Sequence, residues 1–283
     1  MGNVATSWVA ALTSIASMAP VLADGVDPPP APGFKTHAAI IAAYATGKID
    51  TVDLKPTTPA EVLAEKGLTY KTAGDMEIKL DLYRPAQADE AVPLLVFIHG
   101  GGWSSGGRWH YSGYCGHFAS EGYAAATIDY RLSGDAPYPA ALDDCRDAVA
   151  WLRENSEKYG IDPERIAVAG GSAGGHLAML VGYSGKSEVR AVVNIYGVYD
   201  LTVPLMRSSP QVRAFLGGAS YKNEPEPFEK ASPKSHLDKD DPPTLVIHGT
   251  LDKIVPVSQS DELVAELRRL GVEHTYDRLE GWN

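Results

Sequence analysis

Basic charge is scarce in this chain of 283 residues: 25 Lys and Arg stand against 36 Asp and Glu, a formal net charge of -11 at pH 7. Nucleic acid and anionic membrane both require a basic face, so neither is expected as a main partner. Cysteine is scarcer still, with only Cys115 and Cys145. Two residues so spaced make neither a thiolate metal site nor a disulfide scaffold. Buried free thiols are expected, a single disulfide being the alternative in an oxidising compartment. Long apolar runs are also missing, which excludes an ordinary membrane-spanning helix. Internal repeats are absent, and nothing in the sequence calls for a metal or a cofactor.

What is present divides unevenly along the chain. Trp8 to Leu22, "WVAALTSIASMAPVL", is small, apolar and uncharged, and small residues follow before Asp24. This is the pattern of a secretory signal over residues 1–23, although its first residues carry no Lys or Arg. The expected location is therefore secreted or periplasmic, with the cytoplasm as the alternative. "DPPPAPG" (Asp27 to Gly33) is a proline-rich spacer that neither continues a helix nor pairs in a sheet. Short helices are expected over His37–Ala45 and Pro59–Lys66, so that residues 24–68 form an N-terminal extension to a domain spanning 69–283.

From Met76 the pattern sharpens. "MEIKLDLYRP" alternates Met76, Ile78, Leu80 and Leu82 with polar residues, as a half-exposed strand does. "VPLLVFIHG", "YAAATIDY", "RIAVAGG", "RAVVNIYG" and "PTLVIHG" are continuous apolar runs, the mark of strands buried on both faces. Helical periodicity separates them over Ala140–Glu157, where Leu142, Cys145, Val149 and Leu152 share a face, over Ala173–Tyr183 and over Pro256–Leu270. "VEHTYDRLE" reads as a last strand. Buried strands alternating with helices predict an α/β domain: a mostly parallel sheet with helices on both faces. The Pro-, Ser- and charge-rich stretch Leu201–Asp241 breaks the alternation and is expected to run over the edge of the sheet. The acidic "DKDD" within it (Asp238 to Asp241) reads as a solvated loop. In such sheets ligands bind beyond the carboxyl ends of the strands, so the residues after each buried run are where chemistry is expected.

After one run comes "AGGSAGGH", with G-x-S-x-G at Gly170–Gly174 between a strand and a helix. So tight a reversal presents Ser172 at the edge of the sheet as a nucleophile. A glycine-rich turn of this kind also cradles anions, but the Lys-Ser/Thr ending of a P-loop does not follow it. After another run comes "HGGGW", His99 to Trp103. Its glycines allow backbone N–H groups to face a developing oxyanion together with the N–H of Ala173; a flexible glycine turn is the plainer alternative. His99 is better suited to brace this loop than to act as a base. After "PTLVIHG", Asp252 lies in a loop before a helix that Pro256 can start. It can orient an imidazole, or cap the helix.

Taken with "DYRL…YPAALDD", "YGVYDL" and "HGTLDKIVP", these motifs resemble the bacterial α/β-hydrolase esterases related to hormone-sensitive lipase, and especially the acetyl-xylan and feruloyl esterase branch. The resemblance runs from about Thr69 to the end of the chain. It implies the α/β-hydrolase fold, with Ser172 as nucleophile, Asp252 as triad acid, and Gly101, Gly102 and Ala173 as oxyanion donors. Gly171 departs from the Asp usual in the lipase-like relatives. The implied activity is that of a serine carboxylesterase working through an acyl-enzyme on short-chain, acetyl, aryl or sugar esters, whether small molecules or attached to a polysaccharide. A non-catalytic ligand-binding protein of the same fold is one alternative; an amidase or formamidase using the same site is another.

A serine nucleophile needs a base. The resemblance places a histidine after the last strand in an E-G-x-x-H pattern, of which Glu280, Gly281, Trp282 and Asn283 supply the first four positions. The histidine is expected at the next position, and a last helix beyond it. His274 is the one histidine between Asp252 and Asn283, but it falls within the predicted strand. His176 should point away from Ser172 along its helix, and His110, His117 and His236 have no identifiable orienting acid. Trp103, Trp109, Tyr111, Tyr114 and Tyr138 are expected near the nucleophile, as an aromatic cleft or as packing residues.

Overall fold

A computed structural model describes residues 59–185 and 189–282. The apolar segment Trp8–Leu22, the proline spacer and the helix expected over His37–Ala45 lie outside the described residues.

Strand β1 (Val62–Ala73) and strand β2 (Met76–Pro85) form an antiparallel hairpin. The helix expected over Pro59–Lys66 is therefore not formed. Its residues favour a helix locally, but Val62 to Glu65 pair with Leu82 to Pro85, and this tertiary pairing overrides local preference. Residues 62–68, read from composition as part of an extension, belong to the sheet. The alternation in β2 holds only at its start. Met76 is exposed, whereas Leu80 to Tyr83 are all buried, because here the strand lies between β1 and β4. Its buried Asp81 is matched by the Arg108 guanidinium at 2.8 Å and the Gly67 N–H at 2.7 Å.

The five apolar runs become β3 (Val92–Ile98), β4 (Ala124–Ile128), β5 (Ile161–Gly171), β6 (Ala191–Ile195) and β7 (Thr244–Gly249). Strand β8 (His274–Leu279) completes an eight-stranded sheet of order β1-β2-β4-β3-β5-β6-β7-β8. Strand β2 runs against both neighbours, and all pairs from β4 to β8 are parallel.

Helix α1 (Ser112–Ser120) covers one face over β1, β2 and β4, burying Cys115 and Phe118 against Leu95 and Phe97. Helices α2 (Ala140–Glu154), α3 (Ala173–Tyr183) and α4 (Ser258–Leu270) share the core of the other face. The periodicity of α2 is realised as read, with Leu142, Cys145, Val149 and Leu152 all buried. Both cysteines are buried free thiols, and burial raises the pKa of each. The 201–241 stretch does not simply skirt the edge of the sheet. Its short helical turns bury Phe215 and Phe228 and return over the glycine loop and the first turn of α3. Among the described residues, no helix is long and apolar enough to cross a membrane.

Candidate active site

Parallel strands deliver their following residues to one edge of the sheet, and the loops after β3, β5, β6 and β7 meet there. Ser172 has φ 56° and ψ -121°, a conformation that costs a residue with a side chain about 1–3 kcal/mol. Two bonds hold it. Its N–H donates to the Ile195 carbonyl of β6 at 2.9 Å, and its carbonyl accepts the His176 N–H at 3.0 Å. The residue thus belongs to the sheet on one side and to α3 on the other. Only glycine fits at 174, since a β-carbon there would collide with the carbonyls of Ile98 and His99. Ser172 is half-buried, and its hydroxyl is not held by any described residue.

The glycine loop lies against this turn. A β-carbon at Gly100 would sit 2.7 Å from the Gly171 oxygen and 3.4 Å from Ser172 Cβ. Gly101, at φ 112°, turns its carbonyl back to accept the N–H groups of Ser104 at 3.2 Å and Ser105 at 3.1 Å. In a trans peptide the following N–H points the opposite way, so the Gly102 N–H faces out of the turn. Likewise the Gly100 carbonyl faces His99 Nδ1 at 2.7 Å, which aims the Gly101 N–H away from that ring. Ala173, first in α3, has an N–H that helix geometry leaves without a carbonyl partner. His99 braces the loop as expected: it is buried, stacks on Tyr130 at 4.3 Å, and accepts the Tyr130 hydroxyl on its own carbonyl at 2.9 Å. Burial lowers its pKa, so the neutral ring can donate Nδ1–H to Gly100.

Asp252 follows β7. Its Oδ1 accepts the N–H groups of Ile254 at 2.8 Å and Val255 at 3.0 Å. Its Oδ2 is 3.7 Å from His248 Nε2, a separation too long for a hydrogen bond. That imidazole is committed elsewhere, with Nε2 2.8 Å from the Val255 carbonyl and Nδ1 2.7 Å from the Ser260 hydroxyl. Burial lowers its pKa. His248 thus shapes the acid loop, a role that the sequence reading did not assign. The segment after β8 joins the same loop: Leu251 N–H donates to the Trp282 carbonyl at 2.7 Å, and Gly281 N–H to Thr250 Oγ1 at 2.9 Å.

None of the described histidines is bonded to Ser172 Oγ. His274 pairs with Thr244, at the amino end of β7, and its Nδ1 is engaged by the Val272 carbonyl. A full strand length separates it from the site. His176, expected to point away from Ser172, is buried with its ring nitrogens engaged by the Trp103 indole and the Ala231 carbonyl. His110 accepts the Gly107 N–H, His236 lies against the Lys230 carbonyl, and His117 is on α1.

The expected aromatic cluster divides in two. Trp103 is buried in the core, and Tyr138 packs on Phe215 with its hydroxyl donating to the Lys230 carbonyl. Trp109 and Tyr114 are exposed, and Tyr111 stacks on Phe97 with its ring 5.6 Å from Tyr114. Tyr196, which the sequence reading missed, is exposed at φ 43° directly after β6. A β-carbon at Gly171 would lie 2.9 Å from the Tyr111 hydroxyl and 3.1 Å from that of Tyr196, so two phenols flank the residue before Ser172. Tyr111 is partly buried and Tyr196, though part of its ring is exposed, is also partly desolvated; the loss of solvation raises both phenol pKa values, keeping them protonated donors. Among the described residues, no group of three His, Cys, Asp or Glu side chains is arranged to hold a metal ion.

The chain is similar to known proteins in sequence and in fold. The chain is 34% identical over 236 residues to the esterase LipC of Mycobacterium tuberculosis, covering 71% of this chain and 58% of the relative. It is 31% identical to an ethyl acetate hydrolase of Pseudomonas putida, covering 69% and 58%. The chain spans about half the length of the curated relatives it matches, 58%, 51% and 49% of the mycobacterial LipC, LipQ and LipM. Among solved structures, a truncated carbohydrate esterase from gut microbiota superposes with a TM-score of 0.72 at 27% identity, covering 80% of this chain and 90% of that one. Esterase 2 of Thermogutta terrifontis superposes at 0.67 and 26% identity, covering 81% and 86%. The family described as BD-FAE matches residues 80–267, the span that carries the glycine loop, the serine turn and the acid loop. The sheet order and the family match together make this chain a member of the BD-FAE family, with the α/β-hydrolase fold.

Proposed function

We propose that this chain is the catalytic unit of a serine carboxylesterase. The observation that carries this reading is Ser172: held in a strained strand-to-helix turn, its hydroxyl unclaimed by any described residue, with the glycine loop against it. In the proposed reaction Oγ attacks the ester carbonyl while a base takes its proton. The tetrahedral oxyanion is received by the N–H groups of Gly101, Gly102 and Ala173. The C–O bond then breaks, the base returns the proton to the departing alcohol, and water hydrolyses the acyl-serine by the same route. The proposed base is a histidine following Asn283. Its support is that the Leu279–Trp282 segment is bonded to the Asp252 loop, where Oδ2 is available to orient an imidazole.

The names of the relatives and the phenols beside Gly171 favour short acyl esters of alcohols or sugars. Export directed by Trp8–Leu22 belongs to the same proposal; amino-terminal sequencing of the protein recovered outside the cytoplasm tests it. The activity test uses the full-length protein with p-nitrophenyl acetate. A burst of p-nitrophenol equal to the enzyme concentration is expected, with Ser172→Ala reducing turnover by at least about 10³-fold. Ser172→Ala turning over at the wild-type rate would defeat the assignment of the nucleophile. Absence of turnover on any short-chain ester would leave the binding-protein alternative.

A further inference from the structure

We infer that His176 is a positioning residue for the glycine loop: its Nδ1 accepts the indole N–H of Trp103 while its Nε2–H holds the Ala231 carbonyl, so one ring sets the loop against α3 and the 201–241 segment. The inference rests on the proposed function for its catalytic readout only.

The geometry begins with Trp103, which directly follows Gly101 and Gly102. Its φ of 56° is unusual for a bulky residue and persists only where the surroundings enforce it. Those surroundings are specific. The indole is buried and stacks on Phe215, with centroids 4.7 Å apart and planes inclined by 20°. The Trp103 carbonyl accepts the N–H of Ser133 at 2.8 Å and its hydroxyl at 3.0 Å. The indole nitrogen lies 3.2 Å from His176 Nδ1. On the far side of the imidazole, Nε2 lies 2.7 Å from the Ala231 oxygen.

Chemistry settles the tautomer. An indole N–H only donates and a carbonyl only accepts. Nδ1 must therefore carry a lone pair and Nε2 the proton, so the ring is neutral. The burial that drives the His176 pKa down to about 4 works in the same direction. The backbone N–H of His176 also holds the Ser172 carbonyl at 3.0 Å. One residue thus ties the nucleophile turn and the end of the donor loop together. An apolar residue would fill the volume but leave a buried indole N–H and a buried carbonyl unmatched, and each such orphaned group is destabilising. If Trp103 turns, the peptides immediately before it turn as well, and the N–H groups of Gly101 and Gly102 leave the position where an oxyanion would form. Misplacement of such donors by about 1 Å is worth up to ~10²-fold in rate.

Two near-isosteres separate the two bonds. Asparagine brings an amide oxygen to the place of Nδ1 and keeps an acceptor for Trp103. Glutamine brings an amide N–H to the place of Nε2 and keeps the donor to Ala231, leaving the indole unpaired. In full-length protein, His176→Asn is expected to keep kcat within about threefold. His176→Gln and Trp103→Phe are expected to lower kcat by about tenfold or more with KM changed less than about twofold, the pattern of an interaction made in the transition state. The double variant Trp103→Phe/His176→Gln should lose no more than the worse single one, because both remove the same bond. Trp103→Phe keeps the stack on Phe215 and serves if His176→Gln fails to fold.

A readout independent of turnover is the indole ¹H–¹⁵N resonance of Trp103, assigned by its loss in Trp103→Phe. A downfield shift in wild type and His176→Asn, lost in His176→Gln, is the expected result. Unchanged kcat in both His176→Gln and Trp103→Phe, or an indole shift indifferent to His176, would overturn the inference. If wild type turns over no ester, the proposed function fails, and the resonance still decides whether His176 holds the loop.

Discussion

At the scale of single residues, positive-φ backbone holds both Ser172 and Tyr196 at the edge of the sheet. G-x-S-x-G between a strand and a helix leaves one arrangement for Ser172, and the strained backbone found there is what that spacing demands. Tyr196 had no such signal. Its N–H continues the β6–β7 ladder to the Ile247 carbonyl at 2.8 Å, and the positive φ follows at the point where the chain leaves the sheet, a position set by a strand far off in sequence. Buried histidines carry a further consequence. His176 titrates near 4 in the folded chain, chiefly through burial, against about 6.5 when unfolded. Between those values the unfolded chain binds a proton that the folded chain does not, so stability falls as pH falls through this window. The loss begins near pH 6.5, is complete near pH 4, and amounts to at most about 3 kcal/mol. His99 and His248 are shifted in the same direction by burial. Burial raises the Asp241 pKa to about 6, which favours the folded state as pH falls and opposes this loss in wild type and variant alike, so the melting temperature of His176→Asn relative to wild type should rise as pH falls from 7 to 4; a difference that does not change with pH would count against His176 as a source of acid sensitivity.

At the scale of elements, apolar runs located β3 to β7 because a strand buried on both faces has a composition that no exposed segment shares. Strand β1 escaped because an edge strand needs to bury only one side. Val62 and Tyr70 are covered while Leu63 is exposed, which leaves too few apolar positions to announce period two. The path of the 201–241 stretch was also unreadable, since it depends on contacts far apart in sequence. One of these is Gln259 on α4, buried, whose Oε1 accepts the N–H groups of both Tyr199 and Asp200 at 2.7 Å. The same side chain donates to the Asp200 carbonyl at 3.3 Å. One amide thus anchors the start of the stretch to α4. Gln259→Leu fills similar space but orphans two buried donors, and should lower unfolding stability by about 2–4 kcal/mol in urea titration. A loss below about 0.5 kcal/mol would mean that water or a local shift satisfies both groups.

At the scale of the whole molecule, the fold could be read from the alternation of strands and helices, whereas the site depends on how that alternation is wound. Parallel strands bring the residues after β3, β5, β6 and β7 to one end of the sheet, and pairing His274 with Thr244 sends that histidine to the other. The sequence already puts His274 inside a strand instead of the loop beyond it, and the sheet shows why that matters: its register sends the side chain to the end away from Ser172. Charge acts at this scale too. With a net charge of -11, the molecule repels an anionic substrate before any specific contact forms, and this repulsion extends over about one Debye length, ~30 Å at 0.01 M salt and ~8 Å at 0.15 M. The Coulomb penalty falls on encounter, hence on kcat/KM, and is absent for a neutral ester. For an ester bearing a free carboxylate, kcat/KM is therefore expected to rise about two- to fivefold from about 10 mM to about 150 mM NaCl. The neutral ester of the same acyl group should stay level over that range. Parallel salt dependence of the two would place the effect in the protein rather than in the encounter. A fall with salt for the anionic ester would mean that local basic groups at the site outweigh the global charge.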